Sequence, residues 1–216
     1  MISRISQKPT LNIELEKVLN HGGPIVGVDE AGRGALAGPV VAAAVAFHKT
    51  DVERNLTGNL SKLADSKALS ESMRECLYHE IINKYKIGIG VANRHRIDTY
   101  NILNATLWAM LIAVQNLDLT PSFVLIDGNS APKLPWRTQT VIQGDARCVS
   151  ISAASVVAKV TRDRIMFDLA TIFPQYKFGK HKGYGTKAHI KELREYGVCC
   201  AHRRSFRPVK LALKKI

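Results

Sequence analysis

Ile25-Val26-Gly27-Val28-Asp29-Glu30-Ala31-Gly32-Arg33-Gly34 is the stretch that decides the fold. An apolar run ends in two adjacent acids, and Gly-Arg-Gly follows at once. The run reads as a strand buried in a sheet. The acids then sit at the strand's end, and the glycines permit a tight turn where another molecule's backbone can come close. Phe123-Val124-Leu125-Ile126-Asp127-Gly128 repeats the arrangement in shorter form later in the chain. If the two strands are neighbours, three carboxylates converge at one sheet edge. In so basic a chain, that points to a site for divalent metal.

Carboxylates forced together repel, and without a cation one of them takes up a proton. Mg²⁺ or Mn²⁺ removes the conflict, because both prefer hard oxygen ligands. Successive strand side chains point to opposite faces. Asp29 and Glu30 therefore share a site only if the strand bends there, with Gly32 and the longer reach of Glu allowing it. Asp145, after Gly144 and just ahead of a long helix, is the fourth candidate. Asp163 competes with it, but lies inside that helix between Arg162 and Arg164 and reads as a helix-surface ion pair.

Outward from these strands, residues 10–20 pattern as a short amphipathic helix, and Val40 to Phe47 as an antiparallel partner of the first strand. Ser70 caps a helix over 71–84, and Lys86 to Ala92 alternates as a strand. Tyr100, Leu103, Leu107, Leu111, Val114 and Leu117 recur at helical steps and mark the clearest helix, stopped by Pro121. Thr138 to Ile142 reads as a short strand. A second long helix runs from Ser152 to Ile172, with Val157, Ile165, Leu169 and Ile172 on one face. Pro174 ends it. These elements predict an α/β core with a mixed sheet over 1–172 and a small basic helical extension over 173–216.

The chain has 216 residues, with 31 Lys and Arg against 18 Asp and Glu, a net charge of +13. That surplus selects a polyanionic partner, most simply nucleic acid. The four cysteines form no C-x-x-C pair, which argues against a zinc or redox motif and for a reducing, cytoplasmic setting. No secretory signal opens the sequence. Lys180-His181-Lys182-Gly183-Tyr184-Gly185-Thr186 and His202-Arg203-Arg204-Ser205-Phe206-Arg207 interleave bases with aromatics, a composition that suits phosphate contacts and stacking. The histidines lack ligand spacing, so none is assigned to metal. Gly32-Arg33-Gly34 with Ala37 also matches a loose dinucleotide fingerprint, but Pro39 and Val40-Val41 oppose the helix that reading needs. A non-catalytic nucleic-acid-binding module would explain the charge and leave the acids without a role.

Gly27 to Gly34, with Leu36-Ala37-Gly38-Pro39-Val40-Val41, closely resembles the opening signature of type 2 ribonuclease H, the bacterial ribonuclease HII family. The likeness runs through Asp65-Ser66-Lys67, Asn101 to Thr106, Asp127-Gly128, Gly144-Asp145, Ser152 to Ser155 with Ala158-Lys159-Val160, Gly183 to Thr186 and His202 to Phe206. Ala35 stands where the family usually has proline, and Ala68 where a second lysine is common. The sister family, ribonuclease HIII, carries an extra N-terminal domain that the short stretch ahead of Ile25 does not accommodate.

The resemblance implies a ribonuclease H-like fold with a five-stranded mixed sheet. It implies a catalytic and metal-binding tetrad at Asp29, Glu30, Asp127 and Asp145, served by Mn²⁺ or Mg²⁺. It also implies an endoribonuclease that cuts 5′ to ribonucleotides in RNA–DNA hybrids and in duplex DNA; no obligate protein partner is evident in the sequence, so a monomer is expected. On this likeness Gly32, Arg33, Gly34 and Tyr184 read the ribose 2′-hydroxyl and its neighbour, the only group that marks RNA within DNA. Lys67, Lys180, Lys182, Arg203 and Arg204 are then the expected phosphate contacts.

Overall fold

The computed structural model describes residues 9–53, 58–63 and 69–214. Strands β1 (Ile25–Ala31), β2 (Val40–Phe47), β3 (Lys86–Ala92), β4 (Phe123–Asp127) and β5 (Thr138–Val141) form one sheet in the order β3-β2-β1-β4-β5. The pairs β1–β2 and β2–β3 are antiparallel, while β1–β4 and β4–β5 are parallel. The mixed sheet and the Val40–Phe47 partner strand are therefore as the patterning predicts. All of β2, VVAAAVAF, is buried, as a central strand covered on both faces must be.

Alternation along β1 and β4 sorts the core into two layers. Ile25, Phe123 and Leu125 face helix α5 (Val149–Ile172), together with α1 (Asn12–His21) and α3 (Glu71–Lys84). Val26, Val28, Val124 and Ile126 face α4 (Arg94–Gln115) on the other side. Ser70 caps α3 as expected, its Oγ accepting from the Met73 N–H at 3.2 Å. A short α2 (Lys49–Glu53) follows β2.

Helix α4 departs from the sequence reading. Its N-terminus is Asn93, whose side chain accepts from the Arg96 N–H at 3.0 Å. The helix breaks at Asn101, with φ 65° and ψ 170°, and restarts with the Asn101 side chain capping the Asn104 N–H at 3.0 Å. Tyr100 and Leu103, expected inside, are 54% and 41% exposed. Val114 and Leu117 are buried as expected, and Ala105, Ala109, Met110 and Ala113 make up the buried face with them. It meets β3 at Gly88 and Gly90, where an added Cβ would lie 2.0 Å from the carbonyl oxygens of Ala113 and Ala109. Alanine against glycine brings helix and sheet close, and a search for large apolar residues passes over such a face. By length and composition α4 could cross a membrane, but here it lies against β3 and β2.

Helix α5 starts at Val149, ahead of the expected Ser152, and is buried without interruption from Val149 to Ala158. Ile172, expected on its apolar face, is 64% exposed. The N-cap residue Cys148 supplies no side-chain cap. The cap comes from α1, where Glu14 Oε1 accepts from the Ser150 N–H at 2.8 Å and from its hydroxyl at 2.7 Å. Burial raises the Glu14 pKa above 4.5, against the opposing effect of these bonds. Between 4.5 and that raised value the folded chain holds a proton the unfolded chain has lost, so this contribution to stability falls as pH rises. Glu14→Gln removes the titration, so its melting temperature should gain on wild type as pH rises through the range above 4.5. Parallel melting curves for the two proteins across that range would contradict the assignment.

The extension beyond α5 carries α6 (Phe178–His181), α7 (Lys187–Tyr196) and α8 (Arg207–Leu213). Tyr176, Phe178 and Ala201 pack with Ala37 and Met166, and Leu193 and Val209 pack with Leu36. The backbone is laced to the segment after β1 by Leu36 N–H to Gly183 O at 2.8 Å, Arg203 N–H to Leu36 O at 2.8 Å and Gly38 N–H to Ala201 O at 3.0 Å.

Candidate active site

Parallel pairing of β1 with β4 ends at Val28 opposite Ile126, so Asp29 and Asp127 take the next step on adjacent strands, on the α5 side. Glu30 points to the other face of the sheet. The expected bend in β1 is absent, since its ladder to β2 continues through Asp29–Ala43 and Glu30–Ala42. What changes is the other neighbour: β4 turns away at Gly128 (φ 94°), which leaves the longer glutamate room to reach over the sheet edge. One carboxylate oxygen from each of Asp29, Glu30 and Asp127 then lies within 4.8 Å of the others.

Hydrogen bonds hold Asp29 and Asp127 in place, and Arg33 pairs with Glu30. Asp29 is 4% exposed. Its Oδ1 accepts from the Glu30 N–H at 2.6 Å, and the Ser155 hydroxyl of α5 also bonds it. Burial first, then the charges of Glu30 and Asp127, raise the Asp29 pKa well above the usual carboxylate range. Burial also raises Glu30, opposed by Arg33, whose Nη1 lies 3.2 Å from Glu30 Oε1. Asp127 Oδ1 accepts from the Gly144 N–H at 2.7 Å, which ties β4 to the 3₁₀ turn 144–146. Asp145 lines the same cleft from that turn, outside the set of three that converges. The cleft encloses about 440 Å³, and Ser155, Lys159 and Tyr184 also line it. Clustered, partly buried oxygens with like charges, and no basic partner for Asp29 among the described residues, are the donor set a hard divalent cation requires, and the residues fit such an ion.

The Gly32-Arg33-Gly34 turn is built from beneath by two buried arginines. Arg203 is fully buried, and its guanidinium donates to the carbonyls of Gly38, Arg33, Gly32 and Pro39 at 2.8 to 3.0 Å. Burial, with nearby Arg162, pushes its pKa down to about 9. This corrects the expectation of a phosphate contact at Arg203, because its donors are committed to the turn. The two glycines also differ. Gly32 has φ 95°, and a Cβ there would sit 1.9 Å from Arg162 Nε, so its bare face is turned inward. Gly34 faces open space, and there a sugar could meet backbone without obstruction.

Other expected residues divide likewise. Lys180 and Arg204 are exposed, and Tyr184 is 36% exposed at the cleft. Lys182 is half-buried, with Nζ donating to Gly179 O at 2.6 Å and lying over the Phe167 ring. Lys67 lies outside the described residues. His181, His189 and His202 turn inward and pack with Tyr176 and Phe178. His189 and His202 share a hydrogen bond of 3.0 Å, and burial pushes the His202 pKa down to about 4. Asp163 is ion-paired, as its spacing suggests, but is only 9% exposed. Both its oxygens are 2.6 Å from Lys159 Nζ, and the residue is buried where a helix-surface position is expected. Ser155, Lys159 and Arg162 follow at helical steps down α5 toward the cleft and the turn. Polar residues at that spacing in an apolar helix were the available signal for them.

The comparisons agree with this geometry. The ribonuclease HII family model matches residues 26–209. The chain is 47% identical over 191 residues to ribonuclease HII of Wolbachia sp. subsp. Drosophila simulans (strain wRi), covering 88% of this chain and 93% of the relative. It is also 47% identical over 196 residues to that of Ehrlichia chaffeensis, covering 90% and 91%. Among solved structures, ribonuclease H2 from Pyrococcus horikoshii OT3 superposes with a TM-score of 0.73 at 24% identity, covering 89% of this chain and 98% of that one. The sheet order, the acidic edge and a family match across most of the sequence lead to one conclusion: the chain belongs to the ribonuclease HII family.

Proposed function

We propose that this protein is a metal-dependent endoribonuclease that hydrolyses RNA in RNA–DNA hybrids and the phosphodiester 5′ to ribonucleotides embedded in duplex DNA. The products carry 3′-hydroxyl and 5′-phosphate ends, and the role is removal of RNA from DNA in ribonucleotide repair and primer removal. The observation that carries the reading is the convergence of Asp29, Glu30 and Asp127 at one sheet edge in a chain of this family.

Asp29, Glu30 and Asp127 would hold the metal, with Asp145 completing the set from the facing turn. Mn²⁺ or Mg²⁺ held by these residues, two ions when substrate is bound, would supply water activation and charge stabilisation at the leaving oxygen. The chain itself does the orienting. Ser155 and the Glu30 N–H fix Asp29, and the Gly144 N–H fixes Asp127. Arg33 pairs with Glu30 at the cleft rim, beside the open face of Gly34. We assign ribose recognition to the 32–34 turn and to Tyr184, whose partly exposed ring at the cleft would stack on the adjoining sugar. Lys180 and Arg204, exposed on the extension, serve as phosphate contacts, with Lys182 and Lys67 as further candidates. Such contacts make affinity fall steeply with salt.

The test is a set of duplexes that differ at one position only, carrying ribose, deoxyribose or 2′-O-methyl ribose. Incision is expected on the 5′ side of the ribose position and in neither of the other duplexes. Equal cutting of the all-DNA duplex would overturn the assignment.

A further inference from the structure

The two parts assigned to ribose recognition are far apart in sequence, the 32–34 turn after β1 and Tyr184 in the extension. One buried side chain reaches both. Arg162 of α5 is 0% exposed. Its Nε donates to Pro39 O at 3.0 Å, and its Nη2 donates to Lys182 O at 2.9 Å and Ala37 O at 3.3 Å. It therefore bonds the chain on each side of the gap between turn and extension. Its guanidinium carbon lies 5.2 Å from the centre of the Tyr184 ring. Its Nε fills the space where residue 32 would carry a Cβ.

Packing alone does not account for this residue. Nη1 is buried with no hydrogen-bond partner, and no ion pair to Arg162 is present among the described residues. A buried guanidinium with an unsatisfied donor and no paired carboxylate is costly. Three backbone carbonyls could be held with less cost by a neutral donor. Arg203 already braces the turn, and its ring neighbour is Phe206 rather than Tyr184. The backbone also joins the two, through the Ala35–Tyr184 bridge and the Leu36 N–H to Gly183 O bond, and Arg162 is the side chain that meets both Gly32 and the Tyr184 ring.

We propose that Arg162 is a positioning residue for ribonucleotide selectivity, fixing the spacing between the 32–34 turn and the Tyr184 ring so that both meet the same ribose junction. The inference rests on the assignment of ribose recognition to those two elements. Its test is a double-mutant cycle with Arg162→Lys and Tyr184→Ala, read as single-turnover incision of a duplex carrying one ribonucleotide. Each single variant is expected to lose about tenfold to hundredfold, because a small misplacement of a positioned group carries that penalty. The double variant should be no slower than the slower single one, within about twofold, as residues that act through each other are non-additive.

Arg162→Gln is run in parallel, since it keeps donors for the carbonyls if the lysine variant does not fold, and the same non-additivity is expected. A purely structural role lowers the melting temperature equally in both Tyr184 backgrounds and gives additive losses, which would overturn the inference. So would wild-type incision by both Arg162 variants. Wild-type incision by Tyr184→Ala would instead remove the recognition reading itself, and the inference with it.

Discussion

Asp29→Asn should lower the cleavage rate about a thousandfold or more, because a lost metal ligand removes several kcal/mol of transition-state stabilisation. The substitution keeps the shape of the side chain and the oxygen that accepts from the Glu30 N–H and Ser155. It removes one of three mutually repelling carboxylates, the one whose pKa is pushed furthest by burial and by its neighbours. Folding should therefore not suffer, and the melting temperature without metal should equal or exceed that of wild type. Affinity for a ribonucleotide-containing duplex in EDTA, measured by fluorescence anisotropy, should survive, because the proposed phosphate contacts lie on other residues. Asp127→Asn should behave alike. A wild-type rate in either variant, or loss of rate and binding together, would contradict the role given to the acids.

Gly27→Ala should be the most damaging single-methyl change in β1. A Cβ at residue 27 would lie 2.1 Å from the Ser150 carbonyl carbon and 2.4 Å from the Ile151 nitrogen, both backbone atoms of α5. Neither can turn aside as a side chain can, so strand and helix must separate. Overpacking of this kind costs about 3 kcal/mol, which for a chain of this size lowers the melting temperature by about 6–12 °C. Separation also draws Ser155 from Asp29, so activity should fall even below the melting temperature. A thermal shift smaller than about 2 °C would show that the contact relaxes at little cost.

Most of the sheet and three of the acids were legible in the sequence, for the same reason. β1 and β4 are continuous apolar runs that end in acid and glycine, so strand, strand end and charge coincide within a few residues. What escaped was made of residues whose burial depends on distant partners. Ala105, Ala109 and Ala113 became a core face only because β3 presents Gly88 and Gly90 to them. Arg203 looked like a phosphate ligand in a basic segment, and only the fold shows its donors spent on the turn after β1. Ser155 and Lys159 were visible as motif residues and Arg162 only as a neighbour of Asp163, and their common direction emerges only once α5 lies across β1. The role of Gly32 was half legible: its positive φ makes the turn, while its bare face serves Arg162 rather than an incoming sugar.

The central claim is that the acidic edge formed by Asp29, Glu30 and Asp127 is a metal-dependent site for cutting at ribonucleotides. Incision of a DNA duplex carrying a single ribonucleotide, with Mn²⁺, with Mg²⁺ and with EDTA, tests it most directly. A cut on the 5′ side of the ribonucleotide is expected with divalent metal and none in EDTA. Undiminished incision in EDTA, or none under any of the three conditions, would contradict it.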